Sequence, residues 1–321
     1  MMGRMILAAL LAVAFSTMPA AAADKTIRVG VLKFGTVNWL MQTISSRGLD
    51  RAEGVVLEVV PLAGKAATAI AFQAGDADMI VTDWVWAMRQ RKNGKVLRFS
   101  PYSTALGAVV TREALADICG LRGKTVGVVG GELDKSWLVL QALVHQNCGF
   151  SLVEETEQLF GAPPLMSKQL ENGVIDAVST YWPFAARLRA AGNPELIAVA
   201  EAMKALRIEP APPLIGFVWD EATADPATVE GFLRAVRAAG AVLATDDAAW
   251  EDLRPLMRAK SEAEFLALRD AYRAGIPEPW TGANTLAAQR LYDVLVDRAG
   301  SKFLTEAGAF DRLVFPEIKE D

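Results

Sequence analysis

The sequence predicts an α/β protein of two lobes, each a mainly parallel sheet flanked by helices, with a helical C-terminal region. Three observations carry this. Short β-branched runs alternate with helical segments from Thr26 onward, the βαβαβα order of a parallel sheet. The pattern restarts near Lys124. After Pro226 the segments 228–243, 248–257, 262–274 and 285–298 all read as helix, of the kind that covers a sheet or bridges lobes.

The elements follow in order. Residues 27–32 alternate and are β-branched, which predicts a strand. A loop over 33–38 leads to a helix from Trp39 to Arg47, stopped at Gly48. Residues 55–60 form the second strand. Pro61 to Gly64 turns the chain into a helix that ends at Gly75. Residues 77–81 are the third strand, followed by Asp83 and a helix from Trp84. Extended segments at 96–99 and 106–111 precede a strand at 124–129. Gly130 and Gly131 turn the chain into a helix reaching about Gln146. A helix from Pro164 to Asn172 leads into a strand at 174–179, a turn at 181–183 and a helix through Leu188. Short extended runs at 196–199 and 214–219 follow, the second after Pro210, Pro212 and Pro213. Two successive domains fit this order. So does one lobe interrupted by another, and the prolines near 210–213, matched by residues 104–107, favour two crossings and hence a hinge. The expected division is 24–105 with 214–321 as the first lobe and its C-terminal helices, and 106–213 as the second.

Residues 1–23 read as a signal peptide rather than as part of the fold. Arg4 supplies charge, residues 5–15 are apolar, and Ala21, Ala22 and Ala23 give a small-residue cleavage site near Ala23. The apolar run falls short of the roughly 20 residues that span a bilayer, and no later run is longer. A soluble periplasmic product is expected, not embedded in a membrane. With 52% apolar and 22% charged residues the chain has a full core. The formal charge of −5 and the lack of a Lys/Arg block argue against nucleic acid. Two Cys and one His leave no zinc-type cluster, so no metal and no cofactor are expected. His145 sits within a helical stretch and reads as a surface residue. Gly130-Gly131 with Lys135-Ser136 is not a phosphate loop, because Asp134 stands where that loop requires Gly.

Residues 27–33, Gly48-Leu49-Asp50 and Gly75-Asp76-Ala77-Asp78-Met79 together resemble the first lobe of periplasmic substrate-binding proteins of ABC transporters, specifically the nitrate/sulfonate/taurine class. Residues 121–131 match the strand that opens the second lobe of that family, and residues 170–177 match its Gly-x-x-Asp-Ala pattern. The likeness covers most of 24–240. It implies the two-lobed, type II periplasmic-binding-protein fold, a small molecule held in the cleft, and delivery to an ABC permease at the inner membrane; the chain is expected to work as a monomer. Fungal enzymes that make the thiamine pyrimidine look similar. They carry a Cys-rich motif and a reactive His that this chain does not match.

Ligands of open parallel sheets bind beyond the carboxyl ends of strands, where helix N-termini point. That rule nominates Phe34, Gly35, Thr36, Asn38 and Trp39 after the first strand, and Gly64 and Lys65 after the second. It nominates Asp83 and Trp84 after the third, Gly131 after the strand at 124–129, and Tyr181 and Trp182 after 174–179. Trp39 reads equally as core, as does Trp137. Asp83 is either a helix N-cap or an acceptor for a ligand N–H or O–H. Lys65 stands at the unfavourable end of a helix dipole, which fits an anionic neighbour or plain solvation. The rings favour an organic ligand with a flat or apolar body and one donor group. A transport-linked binder accounts for all these features. A sensor module would share the fold, and a secreted enzyme would need an acid–base pair that the spacing does not fix.

Cys119 and Cys148 are expected to be bridged. A six-residue strand rises about 20 Å and a helix of about thirteen residues descends about 20 Å, so both Cys return to one end of the unit, opposite the cleft. An oxidising compartment favours the bond; two buried, unlinked thiols are the alternative.

Overall fold

A computed structural model describes residues 25–316. The expected signal peptide lies outside the described residues.

The first sheet has the order β2-β1-β3-β10-β4. β1 (Lys25–Leu32), β2 (Val55–Leu62) and β3 (Met79–Asp83) run parallel. They are linked by α1 (Val37–Ser46) with the short α2 (Leu49–Ala52), and by α3 (Lys65–Ala74). α4 (Trp84–Lys92) leads to the edge strand β4 (Leu97–Ser103), and β10 (Ile215–Asp220) inserts antiparallel between β3 and β4. The second sheet has the order β7-β6-β8-β5-β9. It comprises β5 (Gly107–Thr111), β6 (Thr125–Val129), β7 (Glu157–Gly161), β8 (Ala177–Tyr181) and β9 (Glu195–Ala198). Its helices are α5 (Lys135–Cys148), α6 (Pro163–Glu171), α7 (Trp182–Ala190) and α8 (Val199–Ala205). β5 is its antiparallel member. The two sheets repeat one plan, as the restart of the sequence pattern predicts. The chain crosses between them twice, after β4 and before β10.

β7 was not read from the sequence. Glu157-Gln158-Leu159-Phe160-Gly161 is an edge strand with no fully buried residue, so it lacks the alternation that marks the others. β5 opens on Gly107 because any Cβ there would strike the Thr180 carbonyl of the neighbouring strand.

The C-terminal helices divide between the lobes. α9 (Pro226–Thr245), α10 (Asp247–Met257) and α11 (Glu262–Ala274) join α1 in covering the first sheet, with Phe217, Phe232, Trp250 and Phe265 buried among them. α12 (Gly282–Ala307) packs against both α4 and α5. Its Ala288, Leu291 and Leu295 lie in one core with Trp84 and Phe99 of the first sheet's unit and with Val128, Trp137 and Leu140 of the second's. The last helix is thus a strut between lobes.

The Cys119–Cys148 bridge is formed, with Cα atoms 5.5 Å apart. Cys148 closes α5 at the end remote from Lys135, as the matched rises of strand and helix require.

Candidate ligand-binding site

β1, β2 and β3 of the first sheet end on the same side as the starts of α3 and α4, and β6 and β8 of the second end beside α5 and α7. These two ends meet. The meeting is polar on one side and aromatic on the other.

On the polar side Asp83, the last residue of β3, is 9% exposed and caps α4. Its Oδ1 accepts the Trp86 N–H at 2.9 Å and its Oδ2 accepts the Lys135 ammonium at 3.1 Å. Lys135 opens α5, so this ion pair joins the lobes. Asp134 caps α5 through the N–H groups of Ser136 and Trp137, at 3.0 and 3.3 Å, and lies beside the Tyr181 hydroxyl. Gly130 leaves room for that contact, because a side chain there would collide with both the Asp134 carboxylate and the Tyr181 oxygen. Lys65, the first residue of α3, sets its ammonium 5.8 Å from the Tyr181 ring centroid, again across the lobes. Among the described residues Lys65 makes no ion pair. Two ammonium groups and two carboxylates therefore share one small volume.

Their titration follows from burial and neighbours. Burial raises the Asp83 carboxyl, but the Lys135 charge, the Trp86 N–H and Lys65 outweigh it and hold the group below its ordinary value. For Asp134 burial wins over Lys135, the Trp137 N–H, Lys65 and the Ser136 N–H, and the group is raised. The signs are opposite. The stability contributed by Asp83 is complete above the unfolded value near 3.9 and is lost as pH falls through its depressed folded value. The penalty of ionised Asp134 is relieved as pH falls through its raised one. Urea denaturation between about pH 3 and 7 should show a flatter acid limb for Asp83→Asn below about pH 4. An unchanged limb would mean that the interlobe pair adds nothing to the fold.

On the aromatic side Trp39, Trp182, Trp250, Tyr272 and Tyr102 pack ring against ring. Trp39 lies 6.0 Å from Trp182 and 5.8 Å from Tyr272 between centroids, and Trp182 lies 6.2 Å from Tyr272. Trp182 belongs to α7 of the second lobe and the others to the first, so this cluster also bridges lobes. Only Trp182 is half-buried; the rest are buried. Tyr102 reaches Thr36 Oγ1 at 3.5 Å, and burial pushes its hydroxyl up to about 12. Behind Trp182 a crevice of about 410 Å³ opens between residues 104–108, α7 and α11. Its charged residues, Arg189 and Glu195, pair with each other at 3.3 Å.

The residues nominated from sequence are placed differently by the structure. Lys65, Asp83 and Tyr181 are brought together on the polar side where the lobes meet, and Trp182 lies on the aromatic side. Thr36, half-buried, stands over Tyr102, while Gly64 starts α3 without a side-chain cap and Gly131 turns with φ 88°. Asn38 and Gly35 shape their own loop: Asn38 Nδ2 donates to the carbonyls of Leu32 and Gly35 at 2.8 and 2.7 Å. Phe34 is 75% exposed, with Arg258 and Lys33 beside its ring at 5.1 and 5.7 Å. Trp84 does not line the cleft. It is fully buried, between Phe310 and Phe315 at 6.2 and 5.6 Å, because it begins α4 on the face that meets α12 and the C-terminal segment. Trp39 is 4% exposed and is also mainly core. Sequence reasoning did not single out Lys135 and Asp134 as site residues. The signal was present, since both follow the Gly130-Gly131 turn at a helix start, inside the loop at 130–137 that the strand-end rule selects. His145 is exposed near the far end of α5. Among the described residues no His/Cys/Asp/Glu group could hold a metal ion, and no helix is long and apolar enough to cross a membrane.

No family model and no curated protein matches the sequence. Solved structures do match in three dimensions. The alkanesulfonate-binding protein SsuA from Xanthomonas axonopodis pv. citri, bound to MOPS, superposes with a TM-score of 0.66 at 16% identity, covering 87% of this chain and 94% of that one. The periplasmic aliphatic sulphonate binding protein SsuA from Escherichia coli gives 0.66 at 16% identity, covering 86% and 93%. The desulfurization enzyme DSZB gives 0.61 at 16% identity, covering 91% and 97%. At such identities the likeness speaks for the fold, and with two five-stranded sheets crossed twice by the chain, the fold is that of the two-lobed periplasmic binding proteins.

Proposed function

We propose that this chain is an extracytoplasmic solute-binding protein that captures a small organic molecule between its lobes and delivers it to an ABC importer. One observation carries the reading: the facing strand ends of two matched sheets put Asp83, Lys65, Lys135, Asp134 and Tyr181 in one interlobe cluster, where open sheets bind ligands. The SsuA-like fold supports it. Residues 24–105 with 214–321 and residues 106–213 are the bodies proposed to close on the ligand. Export through the N-terminal segment, a periplasmic location, a permease partner and a monomeric state belong to the same proposal.

The ligand is read as an organic molecule with a flat or apolar body and at least one donor group, laid against Trp182 and Tyr181. An enzymatic role is raised by the fold of DSZB. The residues here favour the binder, since His145 lies outside the cluster and both Cys are bonded. A thermal-shift screen of small metabolites tests the function. A true ligand at 100 times its dissociation constant adds about 2.7 kcal/mol of stability. Small-angle scattering with that ligand should show a smaller radius of gyration. A ligand that is consumed during the titration, with product detected by mass spectrometry, would replace binding by catalysis.

A further inference from the structure

The Asp83–Lys135 pair bears on what the site accepts. Asp83 Oδ1 is committed to the α4 cap by Trp86, whereas Oδ2 is satisfied only from the other lobe, by Lys135. When the lobes part, Lys135 leaves with α5 and Oδ2 loses its donor. A buried carboxylate without a counter-charge is costly, so each closed form must supply a donor at that point. We propose that Lys135 is a built-in stand-in for the cationic group of the ligand: in the loaded protein an organic ammonium takes its place on Asp83, and the site selects a small amine with a flat or apolar body.

Charge balance points the same way. Lys65, Lys135, Asp83 and Asp134 cancel formally. With Lys135 displaced, two carboxylates face one ammonium, and a monocation restores neutrality. An anion added with Lys135 still on Asp83 would leave the cluster with one uncompensated negative charge. The half-buried Tyr181 ring, already faced by the Lys65 ammonium, offers a surface against which a cation and its apolar body are held. Asp83 then reads the ligand, and Lys135 sets the threshold that a ligand must exceed to enter.

The inference rests on the solute-binding reading, and its test separates the two. Benzylamine, benzyl alcohol and benzenesulfonate share one body and differ in charge. Each is titrated calorimetrically into the full chain and into Lys135→Met and Asp83→Asn, with circular dichroism confirming that both variants fold. Benzylamine is expected to bind the parent, to bind Lys135→Met at least tenfold tighter because the internal competitor is gone, and to lose at least tenfold in Asp83→Asn. Should Asp83→Asn fail to fold, the Lys135→Met arm decides alone. Benzylamine binding no tighter to Lys135→Met overturns the inference, as does saturable binding of benzenesulfonate that Lys135→Met abolishes. The second result would make Lys135 an anion anchor and leave the solute-binding reading standing. Failure of all three probes overturns the inference, and the metabolite screen then judges the function separately.

Discussion

Replacing Trp84 with alanine is expected to lower the unfolding free energy by about 3–5 kcal/mol while leaving solute affinity within a few-fold of the parent. The ring is wholly enclosed, edge-on to Phe310 and Phe315, in the core that joins α4 to α12 and α5. Truncation removes transfer free energy and leaves a cavity that rigid neighbours fill poorly. Trp84→Phe should cost much less. It keeps most of the volume and deletes an indole N–H that has no hydrogen-bond partner where it lies. Urea denaturation gives the first quantity and ligand titration the second. Lost affinity with an unshifted denaturation midpoint would return Trp84 to the binding surface.

Removing the disulfide in a Cys119→Ala, Cys148→Ala double variant should cost nearly as much. The bridge closes a loop with a sequence separation of 29, for which loop-closure entropy alone gives about 3.5 kcal/mol. For a chain of this size that is a melting temperature lower by roughly 5–10 °C. Affinity should persist, because the bond ties the far end of α5 to the segment before β6, while Lys135 at the other end of the helix faces the site. Calorimetry of the variant and of the reduced parent should agree. A melting temperature unchanged by reduction, with both thiols shown free, would mean that the loop is already held by packing.

The sequence by itself determined what repeats locally. Alternating β-branched runs between helical segments set the strands and the βαβ order, since a strand buries every second residue and a helix every third or fourth. The same order named the loops at the strand ends, and matched rises of strand and helix brought Cys119 to Cys148. Asp83 was legible as a cap because a carboxylate before a helix meets free N–H groups. Only the tertiary structure decided its second partner. Lys135 lies 52 residues away on the other lobe, and no local pattern fixes how two sheets face each other. The rings divided for the same reason. Trp84 and Trp182 each open a helix after a strand, yet one is enclosed beneath α12 and the other is half-buried between the lobes. Where such a ring goes depends on how each helix is rotated on its sheet and on what later chain covers it. β7 escaped because an edge strand buries too little to impose a period, and which of the later helices bridges the lobes stayed open because an apolar helix face does not say which lobe it will meet. Periodicity records that a face is buried; only packing selects the surface that buries it.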